Sequence, residues 1–393
     1  MSARAAGSPS PLGPERQTAR LRELAAVFLR LGLTAFGGPA AHIAMMEDEA
    51  VVRRQWLTRE RFLDLLAVAN LLPGPSSSEV AIYLGYVRAG WPGLLVGGAC
   101  FIVPAALLVA AIAWTYTRFG SLPEMAGVLY GIRPVVVAII LQAVWRLGRA
   151  AIRDTTSLVV GVAAAVLNLV GLAPVAVLLV SGIAIAVVRS ARTVGQRGVA
   201  ALLPISPAVA AGAAGSPVAL TSLFLVFLKV GALVFGSGYV LLAFLRADLV
   251  ERLQWITEHQ LLDAVAVGQV TPGPVFTTAT FIGYLLAGWS GAAIATLGIF
   301  LPAFLLVAAS GPFVSLLRAS RLAALILDGV TVGALALMVV VTWELGRAAI
   351  VDGATATLAV GSAVLLLRFR LSSTWLIAAG ASLGMILGIV RAP

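Results

Sequence analysis

The sequence predicts an all-α, polytopic helical membrane protein built from two homologous repeats. The composition, a succession of apolar runs and a long internal repeat support this prediction. Of the 393 residues, 60% are hydrophobic and 11% are charged, whereas soluble domains are about 45–50% apolar and about 25% charged. A water-soluble fold with so few charges could not cover its own surface. A cytosolic enzyme, a nucleic-acid-binding module and a disordered chain are therefore excluded.

The net charge of +10 could by itself suggest nucleic-acid binding. The basic residues, however, stand at the ends of the apolar runs, as the positive-inside rule expects of a membrane protein. We therefore attribute the excess charge to membrane topology and predict no nucleic-acid partner. The single cysteine, Cys100, cannot form an internal disulfide and lies in an apolar run.

Apolar runs follow one another from residue 24 to the end of the chain. A membrane-spanning helix needs about 20 residues of low charge. The runs 157–188 and 353–390 are too long for one span each, so we expect each to form two short helices. Strands are not expected, because an open sheet facing lipid would leave backbone groups unpaired. The candidate spans are residues 24–46, 93–117, 127–145, 157–188, 220–245, 290–317, 322–343 and 353–390.

The internal repeat covers some 125 residues of each half with one gap. Phe28 recurs as Phe227, 199 positions later, and Trp145 recurs as Trp343, 198 positions later. Chance similarity between apolar segments would not also align Pro, Arg and Asp positions. The predicted organisation is a disordered tail at 1–20, a first repeat at 21–190, a linker at 191–219 and a second repeat at 220–393.

Twofold repeats are typical of secondary transporters, in which the substrate binds near the repeat interface. The loop 47–61 carries four arginines, whereas its counterpart 246–260 carries two arginines and three acids. Counting only basic residues places these loops on opposite sides of the membrane and favours inverted halves. The basic tail and linker fit that topology only if 24–46 is a re-entrant hairpin broken at Gly37-Gly38-Pro39, or if the linker adds a crossing.

Two aligned Pro-Gly-Pro motifs form the first candidate site. Each joins two short apolar segments of about 14 residues, roughly 21 Å long, which is too short to cross a membrane. Such a break exposes N–H groups at a positive helix start, which attracts anions, and it survives only inside protein or beside water. The alternative is a structural hairpin or an ordinary proline kink. The candidate residues are Pro73, Gly74, Pro75, Ser76 and Ser77, with Pro272, Gly273, Pro274, Thr277 and Thr278.

Charged and small residues inside apolar runs form the remaining candidates. Arg30 and Lys229 are aligned, and each would either bind an oxyanion or reach the membrane interface. The acids would either take up a proton during transport or pair with arginines as structural locks. His42 would relay a proton or hydrogen-bond locally. The small-residue candidates are Phe36, Gly37, Gly38 and Pro39, with Gly236 and Ser237; the acidic candidates are Asp64, Glu79 and Asp263.

No catalytic set is recognisable. The sequence contains no GxxxxGK[ST] loop for ATP, no His/Cys metal spacing and no placeable Ser/His/Asp arrangement. We therefore predict no enzymatic activity, no cofactor and no metal, and we expect any transport to be driven by ion gradients.

The sequence resembles the chromate ion transporter family, in its long, two-domain form. The resemblance rests on Phe36-Gly37-Gly38-Pro39 with His42, on Arg54-Gln55-Trp56-Leu57-Thr58 and on both Pro-Gly-Pro motifs. It implies a multi-pass inner-membrane protein that exports chromate, driven by the membrane potential or the proton gradient. Nothing in the sequence separates chromate from sulfate, molybdate or phosphate. The alternative functions are a channel and a non-transporting scaffold. A homodimer is a possible assembly of the chain.

Overall fold

The computed structural model describes residues 14–120, 122–193, 219–235, 238–369 and 371–391, and these residues contain no strand. Within these residues, five helices are long and apolar enough to cross a membrane, which confirms the predicted all-α membrane fold. The helices are α1 Pro14–Thr34, α2 Gly38–Glu47, α3 Arg59–Ala69, α4 Ser76–Phe119, α5 Pro123–Ala151, α6 Thr155–Leu169, α7 Pro174–Thr193, α8 Leu220–Leu233, α9 Leu241–Leu245, α10 Glu258–Val270, α11 Thr278–Ala319, α12 Arg321–Ala349, α13 Gly353–Arg368 and α14 Ser373–Arg391.

Short irregular helices complete the list: π-helical turns at Asp48–Arg53 and Arg246–Arg252, and 3₁₀ turns at Gly238–Val240 and Val275–Thr277. The two long apolar runs are split as predicted, between α6 and α7 and between α13 and α14. The expected spans 24–46 and 220–245 are also split, because α1 ends at Thr34 and α8 ends at Leu233.

The N-terminal tail needs one correction. Residues 14–20 of the expected disordered tail belong to α1, and residues 1–13 lie outside the described part of the chain. Arg20 explains part of this order, since its guanidinium donates a hydrogen bond to the carbonyl of Arg88, 3.3 Å away. Most of the expected linker, residues 194–218, likewise lies outside the described residues.

Helix α4 is bent back on itself at Ala89 and Gly90, which have non-helical dihedral angles. Segment 76–88 then lies against segment 91–119. The backbones approach so closely that a Cβ on Gly85 would lie 2.1 Å from the carbonyl oxygen of Gly93. Helix α11 is bent in the same way at Ala287–Gly288, so each repeat contains one such hairpin.

Ion pairs show that the first half of the chain returns twice to the side of the membrane from which it enters. Glu23, which directly precedes the apolar part of α1, contacts Arg54 at 3.0 Å and Arg88 at 2.6 Å. Arg54 follows α2 and its π-helical turn, and Arg88 ends segment 76–88. Residues 24–53 and 59–88 are therefore two re-entrant hairpins that open on one side, which we call the N-side. This satisfies the condition that the inverted topology set for residues 24–46.

The equivalent helices α5 and α12 run in opposite directions. Tyr130, near the start of α5, donates hydrogen bonds to Asp352, just after α12, at 2.6 and 2.7 Å. At the other end, Arg189 binds Asp154, just after α5, at 3.1 Å. The same arginine binds Asp328, near the start of α12, at 2.8 Å. Asp154 thus lies on the N-side, and the aligned Asp352 lies on the opposite side, which we call the C-side. These contacts confirm that the two repeats are inverted.

The repeats are joined by an exchange of helices. Helix α5 of the first repeat packs against α13 and α14 of the second, and α12 packs against α6 and α7 of the first. Small residues line these contacts, as is common between membrane helices. A Cβ on Gly131 would lie 2.0 Å from the carbonyl oxygen of Gly380. Helices α4 and α11 also contact each other across the repeats, and they carry the residues that follow the Pro-Gly-Pro motifs.

Candidate functional site

Each Pro-Gly-Pro loop contacts the end of the first helix of the other repeat. The N–H group of Gly74 donates to the carbonyl of Val234 at 2.7 Å, and that of Gly273 donates to the carbonyl of Ala35 at 2.9 Å. Ala35 follows α1 and Val234 follows α8, where carbonyls have lost their helical partners. The reciprocal pair brings four interruptions of the helical backbone together at the repeat interface.

The predicted helix breaks are confirmed, since α3 ends at Ala69 before α4 begins at Ser76, and α10 ends at Val270 before α11. The hypothesis about their donors needs a correction. We expected the N–H groups at the breaks to be free for an anion, but those of Gly74 and Gly273 bind protein carbonyls. The carbonyls at the ends of α1 and α8 have lost their helical partners and take these donors instead.

Both loops need glycine at the central position. The φ angle is +138° at Gly74 and +88° at Gly273, a region that residues with a Cβ rarely adopt. A Cβ on Gly273 would lie 2.5 Å from the Cβ of Ala105 in α4. A Cβ on Gly74 would lie 2.7 Å from the Oε1 atom of Glu79. The space beside the central glycine is therefore filled by a neighbouring helix in the second loop and by a flexible side chain in the first.

The second loop is buried and its hydroxyl groups are paired locally. Pro272, Gly273 and Pro274 are all buried. The Oγ1 hydroxyl of Thr277 donates to the carbonyl of Pro274, and that of Thr278 donates to the carbonyl of Val275, both at 2.8 Å. These threonines act as local caps, so the second loop presents no unpaired hydroxyl proton.

The first loop is more open and less satisfied. Pro73 and Ser76 are partly exposed, whereas Gly74, Pro75 and Ser77 are buried. Behind them, the Oγ atom of Ser78 and both carboxyl oxygens of Glu79 are buried without a hydrogen-bond partner. The N–H groups of Ser76 and Ser77 lie in the first turn of α4, where the helix provides no carbonyl for them. Near the second loop, the Nδ1 atom of His42 and the Nε2 atom of Gln269 are also buried without a partner, but the carboxyl group of Glu79 is the ionisable one among them with no bond at all.

The two candidate cations are held by acids. Arg30 pairs with Glu49 at 2.5 Å, and Lys229 pairs with Asp248 at 2.7 Å. Both acids are buried and stand in the two π-helical turns. Sequence reasoning missed them, although Glu49 and Asp248 are aligned at the same offset of 199 positions as the cations. Each cation therefore faces a carboxylate, and each carboxylate is shared with a further arginine: Glu49 with Arg54 and Asp248 with Arg252.

A cavity of about 840 Å³ opens beside Lys229, between the α6–α7 connection, the α9 region and α12. Arg246 in this cavity also binds Glu258 and lies 3.7 Å from Glu344, so positive and negative charges alternate along its wall. The charged residues lining it are Lys229, Arg246 and Arg252, with Asp248, Glu251 and Glu344.

The turn between α1 and α2 is formed by Gly37 and Gly38, whose φ angles are +105° and +78°. Phe36 is exposed, and Pro39 is the second residue of α2. The aligned Gly236 and Ser237 lie outside the described residues. The small-residue pair is thus a helix break that matches the two Pro-Gly-Pro breaks.

His42 lies next to the contact made by the second loop. Its Nε2 atom is 3.0 Å from the carbonyl oxygen of Ala35, which also accepts the N–H group of Gly273. The ring is buried and stands edge-on to Phe101. This bond fits the local role better than the relay, because one ring nitrogen is already used by a backbone carbonyl.

The two aligned aspartates have different surroundings. Asp263 is buried and forms a two-bond ion pair with Arg133, with both N–O distances at 2.9 Å. It also accepts a hydrogen bond from the Tyr116 hydroxyl at 2.9 Å. Asp64 is exposed. The geometry favours the structural-lock alternative for Asp263. Sequence reasoning missed Arg133, although an arginine inside the apolar run 127–145 was the available signal.

Comparison with known proteins decides the family. The family model described as Chromate transporter matches residues 22–186 and again residues 221–385. The chain belongs to the chromate transporter family. Each match covers one half of this family member, and the chain is a multi-pass membrane protein.

Named relatives extend over most of the chain. It is 35% identical to the chromate transport protein of Cupriavidus metallidurans over 383 residues, which cover 96% of this chain and 94% of that protein. It is 33% identical to the chromate transport protein of Pseudomonas aeruginosa, over 83% of this chain and 81% of that protein. A probable chromate transport protein of Synechococcus elongatus is 34% identical over 84% of this chain and 86% of its own length. No solved structure matches this family member.

Proposed function

We propose that this protein is a secondary transporter that exports chromate across the inner (plasma) membrane, driven by the membrane potential or the proton gradient. The observation that carries the proposal is the reciprocal pair of hydrogen bonds from Gly74 to Val234 and from Gly273 to Ala35. The names of the relatives support chromate as the substrate.

The chemistry of the first Pro-Gly-Pro loop suits a tetrahedral oxyanion. Irregular backbone in the middle of a membrane persists only inside protein or beside water, and inverted repeats provide alternating access to such a place. Ser76 and Ser77 offer hydroxyl and N–H donors at the start of α4, where the helix dipole also favours an anion. Donors of this kind bind a dianion through charge-assisted hydrogen bonds. Sulfate has the same shape and charge.

The positive-inside rule assigns the sides of the membrane. Arg53, Arg54 and Arg88 lie on the N-side, in or beside the ion-pair cluster of Glu23. We therefore place the N-side in the cytoplasm. Export then runs from the N-side to the C-side, where the cavity beside Lys229 opens.

The decisive experiment is chromate flux in proteoliposomes with an imposed membrane potential or pH gradient. We expect the wild type to transport chromate in response to the imposed gradient, and Gly74→Leu to abolish that flux while the protein still inserts. Gly361→Leu is the matched control, because Gly361 lies in α13 with open space around it. Sulfate in the same assay tests the alternative substrate.

Two outcomes contradict this proposal. Equal flux by Gly74→Leu and Gly361→Leu would remove the first loop as the site. Chromate flux that follows only its own concentration gradient, at any membrane potential, would identify a channel. Lys229→Ala tests the role of the C-side cation in the same assay, and we expect loss of flux from it.

A further inference from the structure

We propose that Glu79 couples oxyanion binding at the first Pro-Gly-Pro loop to protons: the neutral carboxyl permits the anion to bind, and the ionised carboxylate excludes it. This inference rests on the proposed function and adds to it the residue and the form of the coupling.

The position of Glu79 is the first observation. It stands at the start of α4, where its N–H group donates to the carbonyl of Pro75 at 3.0 Å. Its side chain is fully buried, with 0% exposure. The carboxyl points back at the loop, because a Cβ on Gly74 would lie 2.7 Å from Oε1. Glu79 therefore lies against Gly74, two residues before the start of α4 at Ser76.

The absence of partners is the second observation. Neither carboxyl oxygen of Glu79 has a hydrogen-bond partner among the described residues. The elements packed against α4 are α1, α2, α3, α10 and α11, together with the turn before α11. These elements carry ionisable groups, but none of the described groups forms a hydrogen bond or an ion pair with the Glu79 carboxyl. The principal groups are Glu23, Arg30, His42, Asp64, Asp263 and Tyr284.

An ionised carboxylate in that position would be costly, since burial removes water and no donor replaces it. The structure thus fits the neutral acid. A dianion at the neighbouring donors would add repulsion between like charges in a region of low dielectric. The proton comes from water on the N-side and stays on a Glu79 oxygen while the oxyanion is bound, and no other bond breaks. A dianion that leaves with one proton still carries net negative charge outward, so export coupled in this way is driven by the membrane potential and not by the proton gradient.

The second repeat offers an internal contrast. The residue 199 positions after Glu79 is Thr278, whose hydroxyl is bonded to the carbonyl of Val275. It carries no titratable group at this position. The coupling therefore belongs to the first loop alone, and a single carboxyl should account for the pH dependence of binding.

Linkage gives the expected size of the effect. If the ionised carboxylate excludes the anion, oxyanion affinity falls about tenfold for each pH unit above the titration point of Glu79. Below that point the affinity does not depend on Glu79. In Glu79→Gln the side chain is permanently neutral and has almost the same shape. Its affinity should stay at the wild-type low-pH value across the whole range.

The experiment measures binding of chromate to the purified full-length protein in detergent, from about pH 5 to about pH 9, the window in which a buried carboxyl titrates. The titration of chromate itself affects every variant equally, so the comparison between variants isolates the protein. Sulfate serves as a second probe. Glu60→Gln is the matched control, because Glu60 is an exposed acid on α3 and should keep the wild-type pH dependence.

Each possible result either supports or contradicts the inference. A wild-type affinity that falls with pH, together with a Glu79→Gln affinity that does not, supports the inference. Equal pH dependence in both proteins, or none in the wild type, overturns it. If Glu79→Gln does not fold, Glu79→Asp replaces it, with a displaced titration point expected and an unchanged one overturning the inference. If the wild type binds neither chromate nor sulfate at any pH, the proposed function itself fails.

Discussion

The two Pro-Gly-Pro hairpins have the same sequence plan and different surroundings. In the second repeat, α10 packs against α5, α12 and α14, and Asp263 is buried. In the first repeat, α3 contacts chiefly α4, and the aligned Asp64 is exposed. Because the repeats are inverted, equivalent surfaces face opposite sides of the membrane, and only one of the two is covered.

A single charge pair explains much of this difference. Arg133 of α5 binds Asp263, whereas the position 198 residues later in α12 is Thr331, which cannot form an ion pair with Asp64. An element with few buried contacts is the one that moves at low energetic cost. The comparison shows that the second hairpin is anchored, and it predicts that the first hairpin is the part of the inverted pair that moves.

Removing the Arg133–Asp263 ion pair should have the largest effect on the stability of the protein. Arg133→Ala leaves Asp263 buried without its cation, which is expected to destabilise the protein by about 3–5 kcal/mol. The measurement is the melting temperature of the purified protein in detergent. Replacing both partners, in Arg133→Leu with Asp263→Leu, removes the unpaired charge and should recover part of the loss.

Asp64→Asn is the matched control for that experiment. Asp64 is exposed on α3, and surface substitutions usually stay within about 0.5 kcal/mol. A melting temperature lowered equally by Asp64→Asn and by Asp263→Asn would contradict the contrast between an anchored and an uncovered hairpin.

Alanine at the two central glycines should sharpen the comparison with a smaller effect. Both substitutions place a Cβ in a left-handed backbone, at about 1–2 kcal/mol. In Gly273→Ala the new methyl also meets the Ala105 methyl at 2.5 Å, and overpacking adds about 1–3 kcal/mol. In Gly74→Ala the close neighbour is the movable Glu79 side chain, and the Ala303 methyl is in ordinary contact at 3.8 Å.

We therefore expect Gly273→Ala to lower the melting temperature more than Gly74→Ala, and Gly74→Ala to reduce chromate flux while the protein remains folded. The two measurements are thermal melting and proteoliposome flux on the same preparations. The reverse order of melting temperatures would show that the first loop is the more tightly packed one.

The sequence predicted what depends on chain-local signals. Prolines, glycines and the length of apolar runs determine where helices end, so the breaks at Pro73 and Pro272 and the split at Pro174 were visible. The internal repeat revealed the two halves. What stayed hidden depends on contacts between distant segments. The acceptors at Ala35 and Val234 carry no sequence signal, because any residue has a carbonyl. The pairing of Arg133 with Asp263 required the exchange of helices between repeats.

Cysteine labelling should report the open and closed loops directly, without a change in stability. In a Cys100→Ala background, which removes the native thiol, Ser76→Cys places a thiol at a partly exposed position and Thr277→Cys places one at a fully buried position. We expect a small water-soluble maleimide to label Ser76→Cys and not Thr277→Cys, with added chromate slowing the labelling. Equal labelling of both, or no effect of chromate on Ser76→Cys, would contradict the assignment of the site to the first loop.

The smallest effect is expected at the aligned helix caps Asp154 and Asp352. Asp154 accepts hydrogen bonds from the N–H group and hydroxyl of Ser157, both at 2.7 Å, which together with Arg189 lower the pKa of Asp154 to about 2. A lowered pKa stabilises the fold at every pH above the usual carboxyl range, and this contribution is lost as the pH falls through about 2. Asp154→Ala should therefore lower the melting temperature by the same small amount from about pH 8 to about pH 5.

The aligned cap residue, Asp352, provides the comparison for Asp154. Asp352 is only partly exposed and binds Tyr130 as well as its own helix. Asp352→Ala should cost about 1 kcal/mol for the lost cap and further stability for the tyrosine hydroxyl left without its acceptor. Melting curves of both variants at several pH values test this. A penalty for Asp154→Ala that shrinks as the pH falls from about 8 to about 5 would show that the carboxyl titrates in that range, which would contradict the lowered pKa of Asp154.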